Sequence, residues 1–431
     1  MAQWRKRGMT VAAVFALASI GMSPLLHADE KSPVAALADA LHAQRRTLAL
    51  QDGALHGDGA TMLIERSRQA QFVLVGEDHG FAEVPQFVQS LDRSLGEDSP
   101  ENLVLEIGPY AANRLGAGIL AGDIAASARA HPGSAPFVEW ADDAAMAAAW
   151  LTRGGYRALW GIDQEFVLAA VPNLERLRRL ASNDAARELV DSYLERARAA
   201  HQAMLDQQDP SGVLMLKLGD ADSTALRAAL RPTPGSESDA LLTALADSAQ
   251  IYRENESAPF ESNRHRALLM KRQFMQHYRD AAAKRPLPRA MFRMGAFHSG
   301  RGLSPTGQFD IGNLASELAE SAGGRSFHVL VIAAGGTYNR KLPFLADPAL
   351  RGVPYPAREE LAVLGAEPLL DQAFSDRWTV FDMEPLRRQR ALREAGGAAF
   401  ARLVYAYDAV VVIDHASAAR ALLEASQERP E

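Results

Sequence analysis

Cysteine is absent from the sequence, and its absence closes off several kinds of chemistry at once. It removes disulfides, thiolate metal sites, a thiol nucleophile, c-type haem attachment and a lipidated cysteine anchor. An excess of positive charge is missing too. Lys and Arg number 46 against 53 Asp and Glu, a formal net charge of −7, so nothing provides the clustered basic surface that general nucleic-acid binding needs. The local run Arg387, Arg388 and Arg390 reads as a solvated helix face. Long apolar runs are also scarce. Beyond residue 22 no stretch is apolar and long enough to span a bilayer. Finally, no Gly-x-Ser-x-Gly elbow occurs, and Ser299 has no context that would make it an acyl-enzyme nucleophile.

What is present starts with the N-terminus. Arg5, Lys6 and Arg7 precede an apolar stretch over 9–22, then Ser23, Pro24 and the small Ala28. This is the order of a secretory signal cut after Ala28, with 1–28 removed and 29–431 released as one domain outside the cytoplasm, periplasmic or secreted. The apolar stretch is shorter than the roughly 20 residues a spanning helix prefers, which leaves an uncleaved anchor as the lesser alternative. No stable membrane insertion is expected after cleavage.

Six short runs rich in branched apolar residues predict strands at 72–76, 102–107, 157–162, 290–295, 327–333 and 408–413. Between them, 85–95, 142–151 and 261–283 carry helical spacing. Alternating strand and helix predicts an α/β fold, a central and mostly parallel sheet covered by helices on both faces. The section 173–253 has no comparable strand and is rich in Ala, Leu, Arg and Glu, which predicts a helical insertion, with a loop at Arg231-Pro-Thr-Pro-Gly. Residues 427–431 read as a frayed tail.

Four of the expected strands end on titratable groups. The first runs into Gly76-Glu77-Asp78-His79-Gly80, the second into Glu106, the third into Asp163, and the fourth into Gly295-Ala296-Phe297-His298. Ligands of an open parallel sheet bind beyond the carboxyl ends of its strands, so these groups are expected to converge on one polar pocket and to shift one another's pKa. Asp78 and Glu83 read as surface acids. A cation is expected among so many carboxylates, and Arg266 shares a helix face with Met270 and Phe274, whereas Arg264 points elsewhere.

Taken together, Gly76-Glu77-Asp78-His79, Glu106 at a strand end, the Arg266–Met270 helix and Gly295-Ala-Phe-His298 resemble the erythromycin esterase/ChaN/Tiki superfamily. Trp140 before an acidic helix start, Leu159-Trp-Gly-Ile-Asp163 and Thr379-Val-Phe-Asp382 echo its esterase-like branch, while the Glu77-Asp-His79 spacing is closer to the ChaN-like version. The resemblance implies an α/β fold with its pocket at the strand ends. It implies His79 as general base or metal ligand, Glu106 as its partner carboxylate, His298 as a second base or ligand, and Arg266 as the group that orients or neutralises a substrate oxyanion. Glu77 would be a ligand or would orient His79.

The function expected is an exported hydrolase that activates water, at a His/Glu site, to cleave an ester or amide bond in a small-molecule or peptide substrate. A divalent metal (Mn, Fe or Zn) held by His79, Glu77, Glu106, His298 and Asp163 is one version, and a metal-free site is the other. The alternative is a non-catalytic haem- or iron-binding protein, for which Tyr110 is the extra ligand candidate. A scaffold that keeps a relic pocket is the third reading.

Overall fold

The structure, a computed structural model, describes residues 31–135, 140–207, 209–340 and 350–422. The expected export signal and the tail at 427–431 lie outside the described residues.

Eleven strands are present among them: β1 (Arg46–Gln51), β2 (Ala54–His56), β3 (Phe72–Glu77), β4 (Asn102–Leu105), β5 (Leu159–Gly161), β6 (Ala290–Gly295), β7 (Ser326–Ala333), β8 (Thr337–Tyr338), β9 (Val353–Pro354), β10 (Trp378–Asp382) and β11 (Ala409–Ile413). Nine of them form one sheet in the order β2-β1-β10-β11-β7-β3-β6-β4-β5, and β8 pairs with β9 apart from it. The run from β11 to β5 is parallel throughout, while β10, β1 and β2 extend it antiparallel. The fold is therefore α/β with a mainly parallel sheet, as the alternation of elements implies.

Every residue of β3, β4, β6, β7 and β11 is buried, as expected of parallel strands covered on both faces. The two faces have different neighbours. Phe72, Leu74, Val104, Phe292 and Met294 pack with Met270 and Phe274 of the helix Pro259–Ala282 and with Ile311 and Ala315 of the helix Ile311–Ser321. Val73, Val75, Leu103, Leu105 and Met291 face the helices Glu83–Leu95 and Ala141–Gly154, which contribute Phe87, Leu91, Met146 and Trp150. On the first face, the rings of Phe72, Phe274 and Phe292 lie 5.3–5.9 Å apart. Such pairs contribute about 0.5–1.5 kcal/mol each beyond area burial, and they hold the Pro259–Ala282 helix in a fixed position on the sheet.

Between β5 and β6 the chain is helical, including Ala170–Leu180, Asp184–Gln207, Asp220–Leu230 and Glu237–Ser257. These helices enclose a core of their own, in which Leu174, Val190, Leu194, Met215, Leu241 and Leu245 are buried. Arg231 ends one of them in the left-handed conformation, at the turn-rich stretch.

Several sequence expectations need correction. The third strand is only Leu159–Gly161, because Gly155–Ala158 forms a 3₁₀ turn. The second stops at Leu105, one residue short of Glu106. Arg387 is no solvated charge: its Nε and Nη2 donate to the carbonyls of Val404 and Tyr407, and its Nη1 lies 3.0 Å from Asp408. Among the described residues no helix is long and apolar enough to cross a membrane.

Candidate active site

The sheet order decides which side chains can meet. β6 lies between β3 and β4, so the loop carrying His79 and the residue after β4, Glu106, are separated by the end of a strand that arrives almost two hundred residues later. That strand ends in Gly295, opposite Glu77 in the β3 register. A side-chain carbon built on Gly295 would sit 3.1 Å from His79 Nε2 and 3.2 Å from Glu106 Oε2. Glycine leaves that space open, and its N–H donates to Glu106 Oε2.

Two histidines flank Glu106 in the same manner. His79 Nδ1 is 2.6 Å from Glu77 Oε1, and its Nε2 is 3.7 Å from Glu106 Oε2. His298 Nδ1 is 2.7 Å from Asp310 Oδ2, and its Nε2 is 3.6 Å from Glu106 Oε1. Each imidazole thus has one nitrogen fixed by a carboxylate and the other turned to the shared Glu106. His79 is the more accessible, its side chain 24% exposed against 7% for His298. Asp310 also caps the helix Ile311–Ser321, accepting the Ile311 N–H at 2.7 Å with its other oxygen.

Arginines balance the buried carboxylates. Arg266 Nη2 lies 2.7 Å from Glu106 Oε1 and 2.6 Å from Asp163 Oδ2, and its Nε donates to Asp163 Oδ1 at 3.0 Å. Asp163 is carried just beyond β5, and the aromatic packing described above sets the height of Arg266 along its helix. Arg264 faces elsewhere and pairs with Glu261 at 2.7 Å. Inside the sheet, Arg293 of β6 reaches Glu77 Oε1 at 2.9 Å and Asp143 Oδ1 at 3.1 Å, below the Glu77–His79 pair.

This arrangement fixes protonation. Burial pushes the Glu106 carboxyl up, but His298, His79, Arg266 and the Gly295 N–H together outweigh it and hold the group down at about 2. For His298, burial favours the neutral ring and Arg266 adds to that. Asp310 and Glu106 prevail, and the pKa lies above its ordinary value. Arg266 and Arg293 are buried yet shifted up, because burial is overcome by Asp163 and Glu106 for the one and by Asp143, Glu77 and Glu106 for the other.

Of the residues singled out in the sequence, the structure brings together Glu77, His79, Glu106, Asp163, Arg266 and His298. Three expectations change. Arg266 is engaged by Glu106 and Asp163 rather than standing free for a substrate oxyanion. Tyr110 is not in this group: it packs on the core of the helical insertion, and its hydroxyl donates to the Glu237 carbonyl at 3.5 Å. Asp78, expected on the surface, is largely shielded and accepts the Tyr355 hydroxyl at 2.7 Å, and burial raises its pKa. Glu83, the other expected surface acid, accepts the Ser417 N–H.

Asp310, Asp143 and Arg293 were not anticipated. Asp310 could have been noticed as a helix-capping residue shortly after His298, and Arg293 as a charge inside an otherwise apolar strand that demands a buried partner.

The donor set does not fit a divalent cation. Among the described residues no group of three His, Asp or Glu side chains is arranged to hold one. Both oxygens of Glu106 are committed, one to Arg266 and one to the Gly295 N–H, while Asp163 is paired with Arg266 and Glu77 with Arg293. The arginines supply the positive charge that a metal would bring.

Comparison with known proteins supports the architecture. No family model and no curated protein matches the sequence. Solved structures do match. An erythromycin esterase, EreC, carrying a His-to-Asn substitution and captured in an open conformation, is 18% identical with a TM-score of 0.56, over 88% of this chain and 99% of that one. A Bacillus cereus protein is 13% identical with a TM-score of 0.52, over 90% and 99%. A succinoglycan biosynthesis protein is 12% identical with a TM-score of 0.51, over 90% and 98%. At these identities the likeness is one of fold, and it extends along nearly the whole chain.

Proposed function

We propose that this protein is an exported hydrolase that cleaves an ester or amide bond by activating water between two histidines, without a metal ion. The observation that carries the reading is the pairing of His79 with Glu77 and of His298 with Asp310 on either side of the ionised Glu106.

The two dyads suit opposite halves of an acid–base reaction. Glu77 accepts from His79 Nδ1–H, which makes Nε2 the basic nitrogen that takes a proton from water at the accessible edge of the site. The imidazolium that forms is stabilised by Glu106, 3.7 Å away. His298 is held by Asp310 and Glu106, against the effect of burial, in a state that favours its proton, so its Nε2–H is the donor for the leaving oxygen or nitrogen. Glu106 is the anion common to both and lets the site carry positive charge on either ring in turn. Positioned proton transfer of this kind contributes about 10²–10⁴-fold in rate. Arg266 and Arg293 act through the carboxylates, Arg266 helping to keep Glu106 ionised and Arg293 pairing with Glu77.

The fold likeness to an esterase favours an ester, lactones included, as the first substrate class to examine. Export is proposed from Arg5, Lys6, Arg7 and the apolar stretch after them.

The deciding experiment is an ester and peptide hydrolysis panel with the mature protein from Asp29 onward, beside His79→Ala and His298→Ala. Turnover in the wild type that is lost in both variants and survives a strong chelator is the expected result. Turnover abolished by the chelator and restored by added Mn, Fe or Zn would reject the metal-free reading. A folded wild type inert across the panel would reject hydrolysis.

A further inference from the structure

The short helix Ala296–Ser299, which carries His298, is held by three side chains that the acid–base scheme does not use. Tyr407, two residues before the start of β11, is buried and donates its hydroxyl to the Ala296 carbonyl at 2.6 Å. The Ser299 hydroxyl lies 2.9 Å from the Tyr407 oxygen and 3.2 Å from the Gly295 carbonyl. With the phenol proton committed to Ala296, the serine is the donor in the shorter contact. His328 of β7 donates from Nδ1 to the Ser299 carbonyl at 2.7 Å, and its Nε2 accepts from the Ser326 hydroxyl at 2.9 Å. Burial and the nearby Arg301 hold the His328 pKa down at about 3, so that ring is neutral and plays both parts.

The same pair of hydroxyls touches the strand of the other dyad. A side-chain carbon on Gly76, the residue before Glu77 on β3, would overlap the Ser299 hydroxyl and lie 2.8 Å from that of Tyr407. The two hydroxyls fill the space that this glycine leaves. They bear at once on the strand that holds Glu77 and on the turn that holds His298, and so fix the separation of the two. That separation matters because both imidazoles must reach Glu106, at 3.7 Å and 3.6 Å. Asp310, which binds the other nitrogen of His298, comes from a different segment, at the start of the helix Ile311–Ser321. A shift of the turn therefore alters the contact between His298 and Asp310. Burial raises the Tyr407 pKa, which keeps its proton in place for Ala296.

We infer that Tyr407 is a positioning residue for His298. It acts with Ser299, through the backbone of the turn, to hold the imidazole at hydrogen-bonding distance from Asp310 and within reach of Glu106. Both hydroxyls are buried and bonded within the fold, so neither meets substrate. Ser299, next in sequence to His298, is a strut and not a nucleophile. In kinetics this role rests on the hydrolase reading; the geometry of His298 and Asp310 does not.

Tyr407→Phe removes the hydroxyl and keeps the ring. It is expected to lower kcat about tenfold or more with KM within about twofold, since a displaced acid slows proton transfer without loosening substrate binding. Ser299→Ala is expected to cost less, and the double variant no more than Tyr407→Phe alone, because both act through one contact. A second readout needs no substrate. The Nδ1 proton that His298 donates to Asp310 gives an NMR resonance far downfield, assigned by its loss in His298→Ala. That resonance is expected to shift or broaden in Tyr407→Phe, and in Ser299→Ala should the first variant fail to fold. Lowered thermal stability with unchanged kcat per folded molecule, a raised KM at constant kcat, additive losses in the double variant, or an unmoved His298 resonance would each overturn the inference. A wild type inert on every ester and peptide would reject the hydrolase reading alone, and the resonance would still decide the role of Tyr407.

Discussion

His79 and Glu106 follow strands that are not neighbours, and they approach to 3.7 Å because the strand between those two strands ends in a residue with no side chain. Gly295 has φ −56° and ψ 146°, a conformation open to any amino acid, so the backbone does not require glycine there. The space does. A single added carbon would lie 3.1 Å from His79 Nε2 and 3.2 Å from Glu106 Oε2, tight enough to force the imidazole and the carboxylate apart.

Gly295→Ala is therefore expected to reduce kcat/KM about tenfold or more while lowering Tm by only a few degrees, since one shifted contact misplaces the base but removes no core. Steady-state kinetics with thermal melts on the same preparation check it. A large loss of Tm without loss of rate per folded molecule would contradict it.

Asp310→Asn is expected to lower the His298 pKa and to move the alkaline limb of kcat/KM to lower pH. The raised His298 pKa stabilises the fold fully below about 6.5 and loses that contribution as pH rises through the folded-state value. Glu106, lowered from about 4.5 to about 2, contributes fully above about 4.5 and loses the contribution as pH falls towards 2. Wild-type Tm should thus decline on both sides of a plateau, and Asp310→Asn should lower the plateau and flatten the alkaline decline while leaving the acid decline in place. Histidine NMR titration and Tm against pH follow the two effects separately.

Removing Arg266 leaves Glu106 and Asp163 buried without their cation. Arg266→Met is expected to cost about 3–5 kcal/mol in denaturant unfolding, the range for breaking a buried ion pair from one side. Asp163→Asn in the same chain should recover part of that stability, because one of the two stranded charges is gone. Activity should stay low in the double variant, since Glu106 still lacks its partner.

If the N-terminal segment directs export, periplasmic extracts of an expressing bacterium should contain a protein whose N-terminal sequence starts at Asp29. Replacing Arg5, Lys6 and Arg7 with Gln should retain it in the cytoplasm. A product beginning at Met1 in the membrane fraction would instead indicate an uncleaved anchor.

The parallel core was readable because buried strands such as Phe72–Glu77 and Ala290–Gly295 are brief, apolar and closed by glycine or acid. The antiparallel extension was not. Arg46–Gln51 and Ala54–His56 mix exposed and half-buried residues and carry little apolar pattern, while Trp378–Asp382 drew notice only for its last four residues. At the site, the groups that sit on or just past strand ends could be found from sequence, since sheet topology brings such ends together. Arg293, Asp143 and Asp310 come from a strand interior and two helix starts, and their meeting depends on packing that spacing along the chain does not encode. Tyr110 misled for the converse reason. It follows a strand end closely but lies on the first turn of a helix, which points it at the insertion.

The place of β6 in the sheet has a bearing on how the protein is made. A chain synthesised only as far as Arg253 already contains His79, Glu106 and Asp163, but it lacks the strand that must slide between β3 and β4 and the helix that brings Arg266. Until that strand arrives, β3 and β4 each have an open edge on the side where β6 belongs, and pairing with each other would be the wrong pairing. Long-range insertion of this kind slows folding and exposes partly built sheets to aggregation. The nascent chain is thus inert by construction, and it is most in need of a chaperone while the helical insertion is being translated.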